Sequence, residues 1–395
     1  MRIFHISDLH IGKHLHLYNL AEDQKHILGQ ITDKAKEYHP DAIVIAGDIY
    51  DKSVPSGEAY QIFDEFLNDL SQIQPAIPVL IIAGNHDNPQ RLQYAAGFME
   101  KHQIYISARP PQTKEELLKK VVLTDQYGEV NFYLFPFIKP GYVRHLFEED
   151  EVTDYQSAYS KMLEREYVDY SQRNVLVAHQ FFVSGTNKPQ ICDSEQMNIC
   201  VGGLDAIDTH IIENFDYVAL GHIHGKQSIG QAHIRYSGTP LKYSVSEEKH
   251  NKSITMITLK EKGQPLIIEE IPLVAKHDVC RIKGSLADIV ETAIKESTEE
   301  AEHHRNEDYV SITLTDEKEA YRPKDMLEEY YTHILEVMVD NTRTRAVHKA
   351  LENDYTEQKT ITPLEAFREF YQLMQQQPMS EEEEKVVAEI LKGEM

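Results

Sequence analysis

The chain has 395 residues, 41% of them hydrophobic, a net charge of −25 and three cysteines, Cys192, Cys200 and Cys280. That length predicts two or three domains with cores that need no disulfides, and an odd cysteine count without a C-x-x-C pair excludes a disulfide framework and implies a reducing, cytoplasmic setting. No apolar run reaches the roughly 18–20 residues of a membrane span, and the start MRIFHISDLHIG is too charged for a signal peptide. The 65 acidic residues against 40 basic ones exclude nonspecific nucleic-acid binding over the whole surface, though not at a local site.

Taken in chain order, IFHIS (3–7), AIVIAG (42–47), VLIIAG (79–84), VLVAH (175–179) and YVALG (217–221) are short, branched, apolar runs. Such runs suit strands buried on both faces of a sheet. Helical patterns over Leu20–Tyr38 and Ser56–Gln72 separate the first three, which predicts a βαβ, largely parallel core. After residue 230, AHIRYSG, SITMITL and PLIIEEI read as antiparallel strands without helices. Residues 1–275 are therefore read as one α/β domain of two packed sheets flanked by helices.

Residues 276–340 repeat the βα alternation on a small scale: VCRIKG, a helix over Leu286–Ser297, YVSITL and ILEVMV. They are read as a small α/β cap domain. Residues 341–395 are read as a linker and helical hairpin. Thr362-Pro363-Leu364-Glu365 is a capping box with proline at the first helical position. Leu364, Phe367, Tyr371 and Met374 share a face, and Pro378 ends the helix. Ser380 and Glu383 form a second box before Val386, Val387, Ile390 and Leu391, and Gly393 can terminate that helix. From residue 276 onward there are 15 basic and 28 acidic residues, more than twice the net acidity per residue of the preceding part. Two short helices are marginal alone and must bury their stripes on the chain's own body or on a partner.

Five motifs follow five of the strand runs: Asp8-Leu9-His10, Gly47-Asp48-Ile49-Tyr50-Asp51, Gly84-Asn85-His86-Asp87, His179 and Gly221-His222-Ile223-His224. In open α/β sheets that edge is where ligands bind. The donors are carboxylate, amide and imidazole with no thiol, a set that suits divalent Mn, Fe or Zn. In D-x-H and H-x-H the donors are two apart, so an extended segment would point both to one side. There are enough donors for two ions. Asp48, standing alone, is the natural bridge, and two ions about 3.5–4 Å apart can hydrolyse a phosphate ester.

The five motifs in this order resemble the calcineurin-like metallophosphoesterase superfamily over about residues 1–260. ISDLHIGK, LGHIHGKQ and YSGTPLKYS are narrower and resemble the SbcD family of bacterial nuclease subunits; that resemblance extends over the cap and, more loosely, the terminal helices. It implies that Asp8, His10, Asp48 and His224 hold one ion, and that Asp48, Asn85, His179 and His222 hold the other. His86 would face the scissile phosphate, stabilising the transition state or protonating the leaving oxygen. The Asp51 carboxylate would orient His86. Where many superfamily phosphatases carry a phosphate-gripping arginine, this chain has Lys52, a point charge instead of a fork.

The resemblance further implies a nuclease using two Mn²⁺, acting on DNA as a 3′→5′ double-strand exonuclease and hairpin or single-strand endonuclease in repair, recombination and replication. It would work as a homodimer, with an SbcC-like SMC ATPase gripped by the C-terminal helices. Ser56–Leu70 and Arg91–Met99 correspond to the family's dimer helices; Tyr60, Phe63, Phe66 and Leu67 would suit such an interface or cover the chain's own sheet. By position alone, Lys13, Lys52, Arg91, Lys188 and Lys226 would meet DNA. Two rival readings stand beside this one: a phosphodiesterase for nucleotides or other small diesters, and a binding scaffold without catalysis. Cys192 and Cys200 are read as packed thiols, and His14, His16, His26, His303 and His304 as solvated.

Overall fold

The computed structural model describes residues 1–148, 150–195, 205–297, 306–318, 321–345, 363–375, 377–380 and 383–387. The expectations for Cys200, His303, His304, Thr362, Ile390, Leu391 and Gly393 lie outside them.

Two six-stranded sheets pack face to face. The first runs Ile267–Pro272, Ser253–Thr258, Arg2–Ile6, Ala42–Ala46, Val79–Ile82, Ile104–Ser107. Its last four strands are parallel, and the first two add antiparallel at one edge. The second runs Gln227–Ile229, Gln231–Tyr236, Tyr217–Gly221, Arg173–His179, Gly128–Phe135, Lys119–Asp125, again with a parallel centre and antiparallel edges. The five predicted strands all form. Their residues are buried on both sides because each sheet is covered on both faces.

The apolar residues divide by strand parity. Ile3, Val44, Leu80 and Ile82 meet Phe132, Leu134, Val175 and Val177 between the sheets. Phe4, Ile43, Ile45 and Ile81 point the other way, onto helices α1 (Ala21–Tyr38) and α2 (Gly57–Ser71). Ser56 caps α2 by accepting from the Ala59 N–H. Phe63, Phe66 and Leu67 of α2 are buried in this core, with Tyr60 packed against it, so of the two uses expected for them the chain takes its own sheet. Near Arg91–Met99 it is Tyr94 and Phe98 that remain exposed.

One strand reading needs correction. Ser253–Thr258 and Ile267–Pro272 are antiparallel as expected, but Gln231–Tyr236 lies parallel to Tyr217–Gly221. The cause is the edge strand Gln227–Ile229. The chain reverses through Gly230, at φ +69°, so the hairpin's second arm falls beside Tyr217–Gly221 in the same direction.

Val279–Gly284, Asn306–Leu314 and Tyr331–Val339 form a three-stranded parallel sheet, covered by Leu286–Ser297 around its own core of Ile289, Val310, Ile312 and Ile334. This unit docks on α1: Asp23 accepts from Tyr309 Oη at 2.9 Å and meets His277 Nδ1 at 2.9 Å. The helix Pro363–Gln375 follows, and the Ser380–Glu383 box forms, each residue accepting from the other. Arg368 holds Glu384 with two hydrogen bonds at 2.6 and 3.0 Å, tying the two helical segments together.

Candidate metal centre

All five motifs lie at the C-terminal ends of the parallel strands, on one rim of the sandwich. Asp8 follows Arg2–Ile6, Asp48 follows Ala42–Ala46, Asn85 and His86 follow Val79–Ile82, His179 ends its strand, and His222 and His224 follow Tyr217–Gly221. The first two loops run side by side through backbone bonds Asp8→Gly47, His10→Asp48 and Ile11→Ile49 at 2.9–3.0 Å. The extended conformation expected for the D-x-H and H-x-H pairs is not what forms. Asp8, His10, Asp48 and His222 have φ of 54°, 44°, 50° and 99°. Leaving the strand, each loop must curl back over the rim, and left-handed residues make that bend. Each costs roughly 1–3 kcal/mol and persists because the surroundings fix it.

The donors converge. Nε2 of His10 and Nε2 of His224 are 3.2 Å apart, and both share a group with Asp8 in which the donor atoms lie within 4.8 Å of one another. Asn85 Oδ1 is 3.0 Å from His179 Nε2 and 2.9 Å from His222 Nδ1. Asp48 Oδ2 stands between, 3.3 Å from His179 Nε2 and 3.8 Å from His10 Nε2. Asp8, His10, Asp48, His179, His222 and His224 are buried. Two imidazole nitrogens aimed at each other, beside two buried carboxylates, make a set that divalent ions satisfy better than protons do.

The electrostatics divide the donors into two kinds. Burial pushes the Asp8 carboxyl up. Burial also opposes charge on Asp48, but His179, His86 and His10 hold it well below the usual carboxylate range. Asp48 and Asp8 in turn overcome burial at His179 and raise it to about 9. Burial and His179 lower His222 to about 3, and burial lowers His10. At neutral pH, His10 and His222 therefore offer lone pairs, whereas His179, and His224, which Glu247 and Glu195 raise against burial, must release a proton to bind an ion.

His86 reaches this cluster from its edge, in a group with His10 and Asp48. Its backbone N–H donates to Asp48 Oδ1 at 2.8 Å. The partner of its Nδ1 is Asp51, at 2.8 Å, but through the backbone carbonyl and not the expected carboxylate. That carboxylate turns the other way, to Lys13 Nζ at 2.8 Å and toward His10 Nδ1 at 3.6 Å. A carbonyl acceptor fixes the Nδ1–H tautomer and leaves Nε2 with the lone pair in the neutral ring.

Several supporting residues had no role in the sequence reading. Asp87 accepts from the Ile49, Tyr50 and Gly84 N–H groups, stapling the Asp48 loop to the Asn85 loop. Its place in G-N-H-D was the available signal. Gln24 of α1 accepts from the Gly12 N–H and donates to the His10 carbonyl at 2.7 Å. Behind His224, Ser194 Oγ meets Nδ1 at 2.8 Å and donates to Glu247 Oε1 at 3.0 Å. Glu247 is fully buried and pairs with Lys252 at 2.6 Å; Lys252 also donates to the His224 carbonyl. Glu195 accepts from the His224 N–H. No spacing in the sequence announces Ser194 or Glu195, because their partners are 29 to 53 residues away.

Of the lysines and arginine expected near DNA, Lys13 is engaged by Asp51 and Lys226 by Glu270 at 2.6 Å. Lys52, Arg91 and Lys188 are exposed.

Residues 1–226 match the family described as calcineurin-like phosphoesterase. A Staphylococcus epidermidis protein, the SbcD subunit of the nuclease SbcCD, is 32% identical over 337 residues, 85% of this chain and 84% of that one. The chain belongs to the SbcD family. Residues 275–375 match a second family, described as type 5 capsule protein repressor C-terminal domain. As a member of the SbcD family the chain is a metal-dependent phosphodiesterase or nuclease. Among solved structures, TT1561 of Thermus thermophilus is 13% identical, covering 68% of this chain and 98% of that one, with a TM-score of 0.39. A dimetal phosphatase from Danio rerio is 10% identical, covering 70% and 97%, with a TM-score of 0.37. Among the described residues no helix is long and apolar enough to cross a membrane.

Proposed function

We propose that this SbcD-family chain is a Mn²⁺-dependent DNA nuclease, cutting duplex ends 3′→5′ and opening hairpins or single strands. The observation that carries this reading is the thiol-free set of buried oxygen and imidazole donors at one sheet rim, with His86 beside it. In the proposed assignment, Asp8, His10, Asp48 and His224 hold one ion, and Asp48, Asn85, His179 and His222 the other. Bound ions would supply an activated water and charge stabilisation at the phosphate. The chain's residues do the rest. Ser194 and Glu247 keep the His224 ring turned with Nε2 toward His10. Asp87 holds the Asp48 and Asn85 loops at fixed separation. His86, with Nδ1 committed to the Asp51 carbonyl, presents Nε2 to the phosphate or leaving oxygen.

The name of the S. epidermidis relative, a subunit of the nuclease SbcCD, supports an SbcC-like ATPase partner. We assign that contact to residues 341–395, with 1–275 as nuclease domain and 276–340 as cap. Exposed Tyr94 and Phe98 favour pairing of two copies through the Arg91–Met99 face.

The test is cleavage of end-labelled linear and hairpin duplex DNA by the purified chain, with Mn²⁺, with chelator and in Asp48→Ala. Cleavage that requires Mn²⁺ and disappears in Asp48→Ala is expected. Hydrolysis of a small diester with no DNA cleavage, even with the ATPase added, would favour the small-substrate reading.

A further inference from the structure

A second group of metal-type donors lies behind His224, and it contains a thiol. A sulfur of Cys192, a carboxylate oxygen of Glu247 and a ring nitrogen of His250 all lie within 4.8 Å of one another. Cys192 and Glu247 are buried. Nδ1 of His250 is shut off from solvent and has no hydrogen-bond partner among the described residues. A buried ring nitrogen left so is costly, and a ligand atom removes the cost. Cys192 and His250 also face a cavity of about 460 Å³, with room for water ligands. The thiol stays protonated without an ion: burial, Glu247 and Glu195 push it up to about 12. The same two carboxylates favour a cation there, against Lys252 beside Glu247, Lys242 acting on His250, and Lys226 and Lys249 on the cavity wall.

We propose that Cys192, His250 and Glu247 bind one zinc-class divalent ion, with water completing its shell, at a site separate from the catalytic ions. Sulfur, imidazole and carboxylate together select a borderline-soft ion such as Zn²⁺ over Mn²⁺. Binding releases the thiol proton to solvent. Glu247 connects the two sites, because the carboxylate that receives Ser194, and through it His224, is the one the ion would share. A carboxylate offers about four lone-pair positions, and Ser194, Tyr243, Ser244, Lys252 and Thr239 already draw on them. An ion therefore competes with the support of His224 and acts on the catalytic centre from behind.

The catalytic donors include no thiol, so a sulfur-to-metal charge-transfer band separates a thiol site from the catalytic centre, and the cysteine variants assign it to Cys192. The full-length chain would be titrated with Co²⁺ under a metal-free reductant, beside Cys192→Ser, Cys280→Ser and His250→Ala, with circular dichroism to check folding. The expected result is a thiolate–Co²⁺ band that Zn²⁺ displaces, that Cys192→Ser abolishes, that Cys280→Ser leaves, and that needs at least ~10-fold more Co²⁺ in His250→Ala. No band in the intact chain, or a band unchanged in folded Cys192→Ser or His250→Ala, overturns the proposal. The result does not depend on DNA cleavage, so this site and the nuclease reading stand or fall separately.

Discussion

Two glycines set how closely the chain packs at the metal centre, Gly221 between the two sheets and Gly84 between neighbouring loops of the first. A Cβ on Gly221 would lie 1.9 Å from the Ala46 carbonyl oxygen and 2.7 Å from His179 Nδ1; one on Gly84 would lie 2.1 Å from Asp48 Oδ1. The neighbours are backbone and candidate ligands, which cannot swing aside as a flexible side chain would. Gly221→Ala is expected to cost about 1–3 kcal/mol in urea unfolding. Calorimetric Mn²⁺ affinity is expected to fall about 10–100-fold. Unchanged affinity would mean that the loops tolerate separation. His86 separates binding from chemistry at the same scale. His86→Ala is expected to keep its ions and lose about 10²–10⁴ in turnover on DNA. A matching loss of metal would instead make His86 a ligand.

At the level of elements, α1 does two jobs with adjacent residues. Asp23 receives the small parallel sheet through His277 and Tyr309, while Gln24 holds the Asp8–His10 turn. Gln24 is 1% exposed, so its removal leaves the Gly12 N–H without its side-chain acceptor and the His10 carbonyl with the Lys13 N–H alone. Gln24→Ala is expected to cost about 1–3 kcal/mol and to weaken Mn²⁺ binding, read by thermal melts with and without the ion. An equal shift in both melts would confine Gln24 to a purely structural role. The helix itself was legible from periodicity, and so were the five strands, because continuous branched runs and the motifs after them are local signals. Strand Lys119–Asp125 was not: it is an edge strand with an alternating burial pattern and no motif behind it. The direction of Gln231–Tyr236 was hidden because one short edge strand decides it. Gln24, Ser194 and Glu247 escaped for a related reason. Each acts through a partner brought close only by the fold, so no spacing marks it. Asp51 shows the finer limit: the sequence names the residue, but only the fold decides that its carbonyl, and not its carboxylate, meets His86.

Across the whole molecule, the end of the sandwich opposite the metal centre is tied by charge. Arg173 makes two hydrogen bonds to Asp125, at 2.6 and 3.1 Å, and also donates to the Gly128 and Lys260 carbonyls, joining the second sheet to the turn that follows the first sheet's strand Ser253–Thr258. The side chains are 3% and 10% exposed, so the pair is shielded from solvent and salt. Burial opposes charge on Asp125, but Arg173 and the N-terminal ammonium of Met1, which also donates to Asp125 Oδ2, override it and hold the carboxyl well below its ordinary 3.8. A carboxylate depressed by folding stabilises the native state above its unfolded value. The contribution is lost as pH falls through the folded value. Asp125→Asn should therefore be less stable than the natural chain by about 3 kcal/mol at pH 7, since a shielded guanidinium loses its counter-charge. The gap should narrow progressively below about pH 4, where the unfolded natural chain begins to protonate the group while the folded one still holds it ionised. Many other carboxylates titrate in that range, but they titrate in both chains, so the difference between paired urea titrations isolates Asp125. A gap that stayed constant from pH 7 to pH 2 would mean that hydrogen-bond geometry, and not charge, holds the two sheets at this end.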